Sequence, residues 1–443
     1  MKRNLLLLAC SLFLLLPAQA RVTVTAGSTA DTYLFKGEIV TPSGVMNGEM
    51  VVEGDTITCV EMDCTDPEGA TRITVSSAYI YPGFIDAHNH VAYNVFPKWT
   101  PPKLYENRGQ WQRSKAYRDF KAPYNDLKST VFCEMVKYGE IKALISGITT
   151  IQGTAPKRKC FKTLIRNAEN YNELGFPSSH VRTYILDISS FSSSIDWTKT
   201  KAFVVHLAEG IDERSRKEFD TLKDKNLLHA NTVIIHGTAF GNAEFQAMKN
   251  VGAKLVWSPQ SNLVLYGKTT NIPLALQNNI LISLGVDWNP TGSDTLFKEL
   301  RIAAEVNEQE FNNAITNDMW LKLITENPAK ALALDAHIGS LTKDRKADIT
   351  IVRKRADDPN SSLLQNRLQD VQFVMVSGKA LYGNEAGMNK LHNNGCEPLI
   401  VHGSRKKICV PDDIDPVDGS DQTLAQIRTI LQDKYPQLAP LAP

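Results

Sequence analysis

His88 and His90 stand two positions apart in the run Ile85-Asp86-Ala87-His88-Asn89-His90. Residues i and i+2 of an extended strand point to one side, so one strand end can offer both imidazoles to a single metal ion. Alone, a His-x-His pair is weak evidence, because a satisfied core histidine accounts for it as well. The run Val204-Val205-His206-Leu207-Ala208-Glu209 brings a third imidazole to the end of an apolar stretch, with a carboxylate just behind it. Val233-Ile234-Ile235-His236-Gly237 ends in another histidine, and Ile282-Ser283-Leu284-Gly285-Val286-Asp287 ends in an aspartate. Each has an ordinary reading: a solvated glutamate at a helix start, or an aspartate capping a helix. Four strand ends carrying His/His, His, His and Asp in chain order make those readings poor. Three neutral imidazoles and a carboxylate suit one divalent metal ion, zinc foremost and iron as the alternative. Water bound to such an ion loses its proton near pH 7, and the resulting hydroxide is a nucleophile that bulk water cannot supply. Glu209, close to the ion without binding it, is placed to transfer protons.

The elements that must hold these residues lie in the middle of the chain. Between residues 81 and 335, short apolar strands alternate with longer helical patterns. Strands are expected at 80–87, 148–152, 182–188, 203–207, 232–236, 255–258 and 281–286. Helices are expected at 127–145, 161–174 and 213–225. This is the pattern of βα units around a parallel sheet, and in a (β/α)8 barrel the catalytic residues sit at the C-terminal strand ends. Only about 14 residues separate 188 from 203, little more than a crossover of 10–12 residues requires, so one unit is expected to be degenerate. Residues 21–80 and 336–390 alternate apolar and polar positions, broken by turn residues, and read as antiparallel strands. The expected architecture is α/β: a (β/α)8 TIM-like barrel over 81–335, a small β-sandwich domain built from both chain ends, and an extension over 391–443 ending in one helix.

With these motifs in place the chain resembles the amidohydrolase superfamily over about residues 30–385. The markers are PGFIDAHNH (82–90), SGITTIQG (146–153), HLAEG (206–210), IIHG (234–237), SPQSNLVLYG (258–267), SLGVDW (283–288) and the segment 326–352. HLAEG and SPQSNL look most like the branch holding cytosine and guanine deaminases, triazine hydrolases and imidazolonepropionase-like enzymes. The resemblance implies that His88, His90, His206 and Asp287 hold one metal. It implies that Asp287 takes the proton of the water, that Glu209 carries a proton to the leaving nitrogen or ring nitrogen, and that His236 bonds the attacked group or the water. Ser261, Asn262 and Trp288 would line the substrate pocket. No lysine ends the 182–188 strand, which argues for a single metal. The activity implied is hydrolysis of a non-peptide C–N bond of a small molecule: an amide, a cyclic amide or a ring amidine. A metallodipeptidase of the same superfamily and a non-catalytic binding protein on this barrel are the alternatives.

Residues 93–124 form a long insertion after the first strand. It carries Tyr93, Phe96, Trp99, Tyr105, Trp111, Tyr117 and Tyr124, and seven Lys/Arg against Glu106 and Asp119. It is expected to cover the pocket, with Lys98, Lys103 and Arg108 attracting an anionic group of the substrate.

Residues 1–20 read as a secretory signal peptide: Lys2 and Arg3, an apolar run over 5–16, then Ala18-Gln19-Ala20 as the cleavage site. The mature protein is expected to be periplasmic or secreted, without a stable membrane anchor. Six cysteines then remain, and proximity favours the pairs Cys59–Cys64, Cys133–Cys160 and Cys396–Cys409. The chain has 443 residues, 42% of them hydrophobic, and a net charge of +1. That balance excludes disorder and gives no electrostatic footprint for nucleic acid. A small-molecule substrate is the expected partner, and a homo-oligomer is compatible with the composition.

Overall fold

The computed structural model describes residues 20–153, 164–169, 174, 176–177, 179–391, 395–410 and 422–442. The leader and Cys160 lie outside these residues. The first strands are β1 (Arg21–Thr25), β2 (Thr32–Thr41), β3 (Gly44–Glu53), β4 (Thr56–Glu61) and β5 (Thr71–Pro82). Eight short parallel strands follow: β6 (Phe84–Asp86), β7 (Ile148–Ile151), β8 (Arg166–Asn167), β9 (Val181–Tyr184), β10 (Ala202–Leu207), β11 (Thr232–His236), β12 (Lys254–Trp257) and β13 (Ile282–Leu284). The last five are β14 (Ile349–Arg353), β15 (Val371–Val376), β16 (Lys379–Asn384), β17 (Cys396–Val401) and β18 (Ser404–Cys409).

Strands β6 to β8 pair in parallel, as do β9 to β13. The ring closes where the first and last strands meet. Asp287 N donates to His88 O at 2.9 Å, and His90 N donates to Asp287 O at 2.7 Å. Buried on both faces, β10 (AFVVHL) and β11 (TVIIH) read as near-continuous apolar runs. Gly285 permits the closure, since a Cβ there would lie 2.5 Å from the Cβ of His88.

Two local expectations change. The strand taken as 80–87 is two elements: β5 belongs to the outer sheet, and β6 begins the barrel. The helix expected at 161–174 gives way, within the described residues, to the two-residue strand β8, which supplies the eighth barrel strand. The short connection after β9 holds only the 3-10 turn Ile188–Ser190, so this βα unit is the degenerate one.

The insertion after β6 folds into α1 (Arg108–Gln112), α2 (Lys115–Lys121) and α3 (Pro123–Thr130), followed by α4 (Phe132–Ile145) against the barrel. Asn107 caps α1 and Ser114 caps α2 through their side chains. Farther on come α5 (Glu213–Arg216), α6 (Glu218–Asp224), α7 (Asn242–Val251), α8 (Pro259–Tyr266), α9 (Ile272–Gln277) and α10 (Leu296–Gln309).

Both chain ends build one ten-stranded sheet in the order β17-β18-β16-β15-β14-β5-β2-β3-β4, with β1 beside β5. This is the β-sandwich domain. Disulfides join Cys59 to Cys64 and Cys396 to Cys409, as proximity predicts. The hairpin β17–β18 adds the extension to this sheet. Beyond it, the helix Leu424–Lys434 packs on α4, and Ala439 N donates to Val95 O at 2.8 Å. Among the described residues, no helix is long and apolar enough to cross a membrane.

Candidate metal centre and cavity

The ends of β6, β10, β11 and β13 converge on one point. His88 Nε2 lies 3.1 Å and His90 Nε2 3.4 Å from Asp287 Oδ1. His206 Nε2 faces His90 Nε2 at 3.3 Å. Candidate ligand atoms of His88, His90 and His206 lie within 4.8 Å of one another, and so do those of His88, His236 and Asp287. The backbone is bent where these side chains are delivered: Ala208, His236 and Asp287 have φ of 52°, 71° and 66°. Non-glycine residues in the left-handed region carry strain, and here that strain sits at the rim of the site.

These donors fit a metal ion. His88 is buried, and neither of its ring nitrogens has a hydrogen-bond partner among the described residues; the same holds for His206 Nδ1. Burial pushes the His88 imidazole down to about 3 and that of His90 to about 4, and it holds His206 well below its ordinary range. All three are therefore neutral, the form that ligates metal. Buried, neutral imidazole nitrogens without partners, such as those of His88, are costly unless something binds them. The set of nitrogen and carboxylate donors is one that zinc and iron both accept.

Two further groups stand beside this centre. Burial pushes the Glu209 carboxyl up to about 8, against the opposing pull of Arg108. Its Oε2 lies 3.7 Å from His236 Nε2. His236 is in turn held through Nδ1 by Asn262 Nδ2 at 3.2 Å. Ser261 and Asn262 are fully buried on α8 and off the cavity wall, so the pocket-lining role expected of them does not match their placement. Asn262 orients His236 instead. Trp288 does line the cavity.

The cavity holds about 450 Å³, and its wall includes His90, His206, Glu209, His236, Asp287 and Trp288. The insertion supplies Tyr93, Arg108, Trp111, Gln112, Tyr117 and Lys121 to the same wall. Trp111 and Tyr117 meet edge to face at 4.8 Å, and Trp111 lies 5.9 Å from Trp288. Of the three cations expected to draw an anion, only Arg108 reaches the cavity. Lys98 Nζ donates to the carbonyls of Asn289 and Gly292 at 2.7 and 2.8 Å, and Lys103 sits over the Tyr105 ring. Tyr266 and Asp86 were not singled out for the site by the motif reading, and Trp111 was named only as part of the cover. Their contacts join residues far apart in the chain, and no spacing rule records them.

A barrel whose strand ends gather three histidines and an aspartate under an aromatic cover defines a metal-dependent hydrolase site. Residues 194–381 match the model of the Amidohydrolase family. The chain is 21% identical over 401 residues to the 5'-deoxyadenosine deaminase of Methanosphaera stadtmanae, covering 80% of this chain and 94% of that protein. It is 23% identical over 378 residues to the 5-methylthioadenosine/S-adenosylhomocysteine deaminase of Pyrococcus abyssi, covering 75% and 88%. Among solved structures, an adenosine deaminase from Xanthomonas campestris with bound zinc aligns with a TM-score of 0.58 at 17% identity, covering 79% of this chain and 92% of that one. An atrazine chlorohydrolase from Arthrobacter aurescens, complexed with zinc and atraton, aligns with a TM-score of 0.62 at 15% identity, covering 79% and 95%. At those identities the structural likeness speaks for the fold alone.

Proposed function

We propose that this protein is an exported, metal-dependent hydrolase that removes an amino group from a ring amidine of a planar nitrogen heterocycle. The observation that carries the reading is the convergence of His88, His90, His206 and Asp287 beside Glu209, at the floor of an aromatic-walled cavity. The deaminase relatives favour a purine-like ring over a cyclic amide. His88, His90, His206 and Asp287 would hold a single divalent ion, with zinc foremost, which would supply Lewis acidity and make water acidic near pH 7.

The remaining steps fall to the side chains. Asp287 accepts the proton released by the water. Glu209, kept protonated near neutral pH by burial, gives a proton to the ring or leaving nitrogen. His236, held by Asn262, donates a hydrogen bond to the attacked group. Trp111, Tyr117 and Trp288 stack on the ring and exclude water, and Arg108 and Lys121 meet its polar substituent. Export is supported by the apolar run over 5–16 and by the disulfides, which persist in oxidising compartments.

The test is a substrate screen on the zinc-loaded mature protein, with ammonia release followed. It includes 5'-deoxyadenosine, adenosine, an aminotriazine, an aminopyrimidine, a cyclic urea and a dipeptide. Ammonia is expected from the aminated rings. Turnover of only the cyclic urea or the dipeptide overturns the reading.

A further inference from the structure

Glu209 does not stand alone under the insertion. Trp111 Nε1 donates to Tyr266 Oη at 2.8 Å, and Tyr266 Oη donates to Glu209 Oε1 at 2.8 Å. An indole N–H can only donate. The tyrosine oxygen must therefore accept from Trp111, and its own hydrogen is left for Glu209. Trp111, Tyr266 and Glu209 are 6%, 2% and 5% exposed, so solvent has little access to replace either bond. With Oε1 held by Tyr266, Oε2 is the oxygen that faces His236.

The short helix α1 reaches Glu209 by a second route. Arg108 N donates to Glu209 O at 3.0 Å, and Arg108 Nε lies 4.0 Å from Glu209 Oε2. The flanking chain is stitched down as well: Asn107 bridges to Gly210, and Ile211 N donates to Glu106 O at 2.7 Å. Trp111 is at the same time a wall of the cavity. A ring stacked on Trp111 thus touches the group that fixes the direction of the tyrosine hydroxyl.

We propose that Tyr266 is a positioning residue for Glu209 and that Trp111 sets it, so that the insertion covering the cavity and the acid beneath it form one unit. This inference rests on the reading of Glu209 as the proton carrier. It assigns a division of labour within one carboxyl group: Oε1 is held and Oε2 exchanges the proton.

The test compares wild type with Glu209→Gln, Tyr266→Phe and Trp111→Phe, each loaded with zinc. Infrared difference spectra identify the Glu209 carboxyl bands by their loss in Glu209→Gln. Those bands are expected to shift in Tyr266→Phe, and to shift less in Trp111→Phe, with zinc content unchanged. Glu209 bands at the wild-type position in Tyr266→Phe overturn the proposal. Should Tyr266→Phe fail to fold, Trp111→Phe decides alone, and unshifted bands there overturn it. With a substrate turned over in the screen, Tyr266→Phe is expected to lower kcat by about tenfold, the worth of one hydrogen bond, at unchanged KM. A raised KM with unchanged kcat would make Tyr266 a substrate contact and overturn it too. A screen in which no ring is deaminated counts against the proposed function, whereas the infrared comparison judges the Tyr266 assignment independently.

Discussion

Asp86 accepts the main-chain N–H of Val286 on Oδ1 at 3.1 Å, across 200 residues of sequence. The first of these residues stands two positions before His88, and the second immediately precedes Asp287. The other oxygen of Asp86 takes Asn89 Nδ2 at 2.8 Å; Asn89 in turn accepts from Asn94, and Asn94 accepts Asn289 N. One buried carboxyl thus sets the spacing between the two strand ends that carry three of the four metal donors. Asp86→Ala is expected to weaken zinc binding by roughly 10–100-fold, the usual cost of losing an outer-sphere support. Competition against a chelator measures this, with circular dichroism confirming that the fold persists. Wild-type affinity in the folded variant would mean that the strand ends hold their spacing without Asp86.

Metal binding and proton transfer separate cleanly by substitution. His206→Ala is expected to lose zinc, because one of three imidazoles is gone. Asp287→Asn should lose activity together with part of its metal. Glu209→Gln should keep full zinc content while kcat falls by roughly 10²–10⁴. Metal stoichiometry and turnover, measured together, check all three. Zinc loss in Glu209→Gln would make Glu209 a ligand rather than a proton carrier.

Glu299 gives the protein a pH-dependent component of stability. It is fully buried on α10 and accepts Gln260 N at 3.1 Å, and burial pushes its carboxyl up to about 8 from an ordinary 4.5. A carboxyl whose folded-state pKa is raised contributes most below pH 4.5 and loses that contribution as pH rises to 8. The slope is at most about 1.4 kcal/mol per pH unit. Glu299→Gln should therefore gain stability relative to wild type as pH rises from 5 to 8. Urea midpoints at several pH values test this, and parallel curves for the two proteins would refute it.

Arg166 and Asp348 fasten the barrel to the outer sheet. Arg166 is 1% exposed, forms an ion pair with Asp348, and donates to Ser377 Oγ and to Thr150 Oγ1. Asp348→Ala takes a buried carboxylate away from a buried guanidinium and should cost about 3–5 kcal/mol in chemical denaturation. The double variant Arg166→Met/Asp348→Ala is expected to recover most of that loss. An Asp348→Ala protein as stable as wild type would show that the pair is not needed.

The site was legible because its residues end apolar strands, and a strand end is a local signal. His88, His90, His206, His236 and Asp287 each close a run that reads as buried on its own terms. What escaped depends on distance in space. The eighth strand, Arg166–Asn167, is two polar residues long and carries no periodicity, so the stretch around it read as helix. Tyr266 reaches Glu209 across 57 residues and Trp111 reaches Tyr266 across 155, and nothing in their spacing announces these contacts. Lys98 and Arg108 look alike in the sequence. Only the fold turns Lys98 onto backbone carbonyls and Arg108 toward the cavity.

The sheet shared by both chain ends governs how the molecule can be made. Along 78–82, β5 takes its outer partner from β14, with Pro82 opposite Ile349. Until the ribosome has passed residue 353, the stretch Tyr79-Ile80-Tyr81, wholly buried in the finished protein, has an open edge. An unpaired apolar edge is a template for aggregation. A half-made or clipped chain ending before β14 is thus a sticky intermediate, and this edge of the outer sheet is covered only once both chain ends have been made.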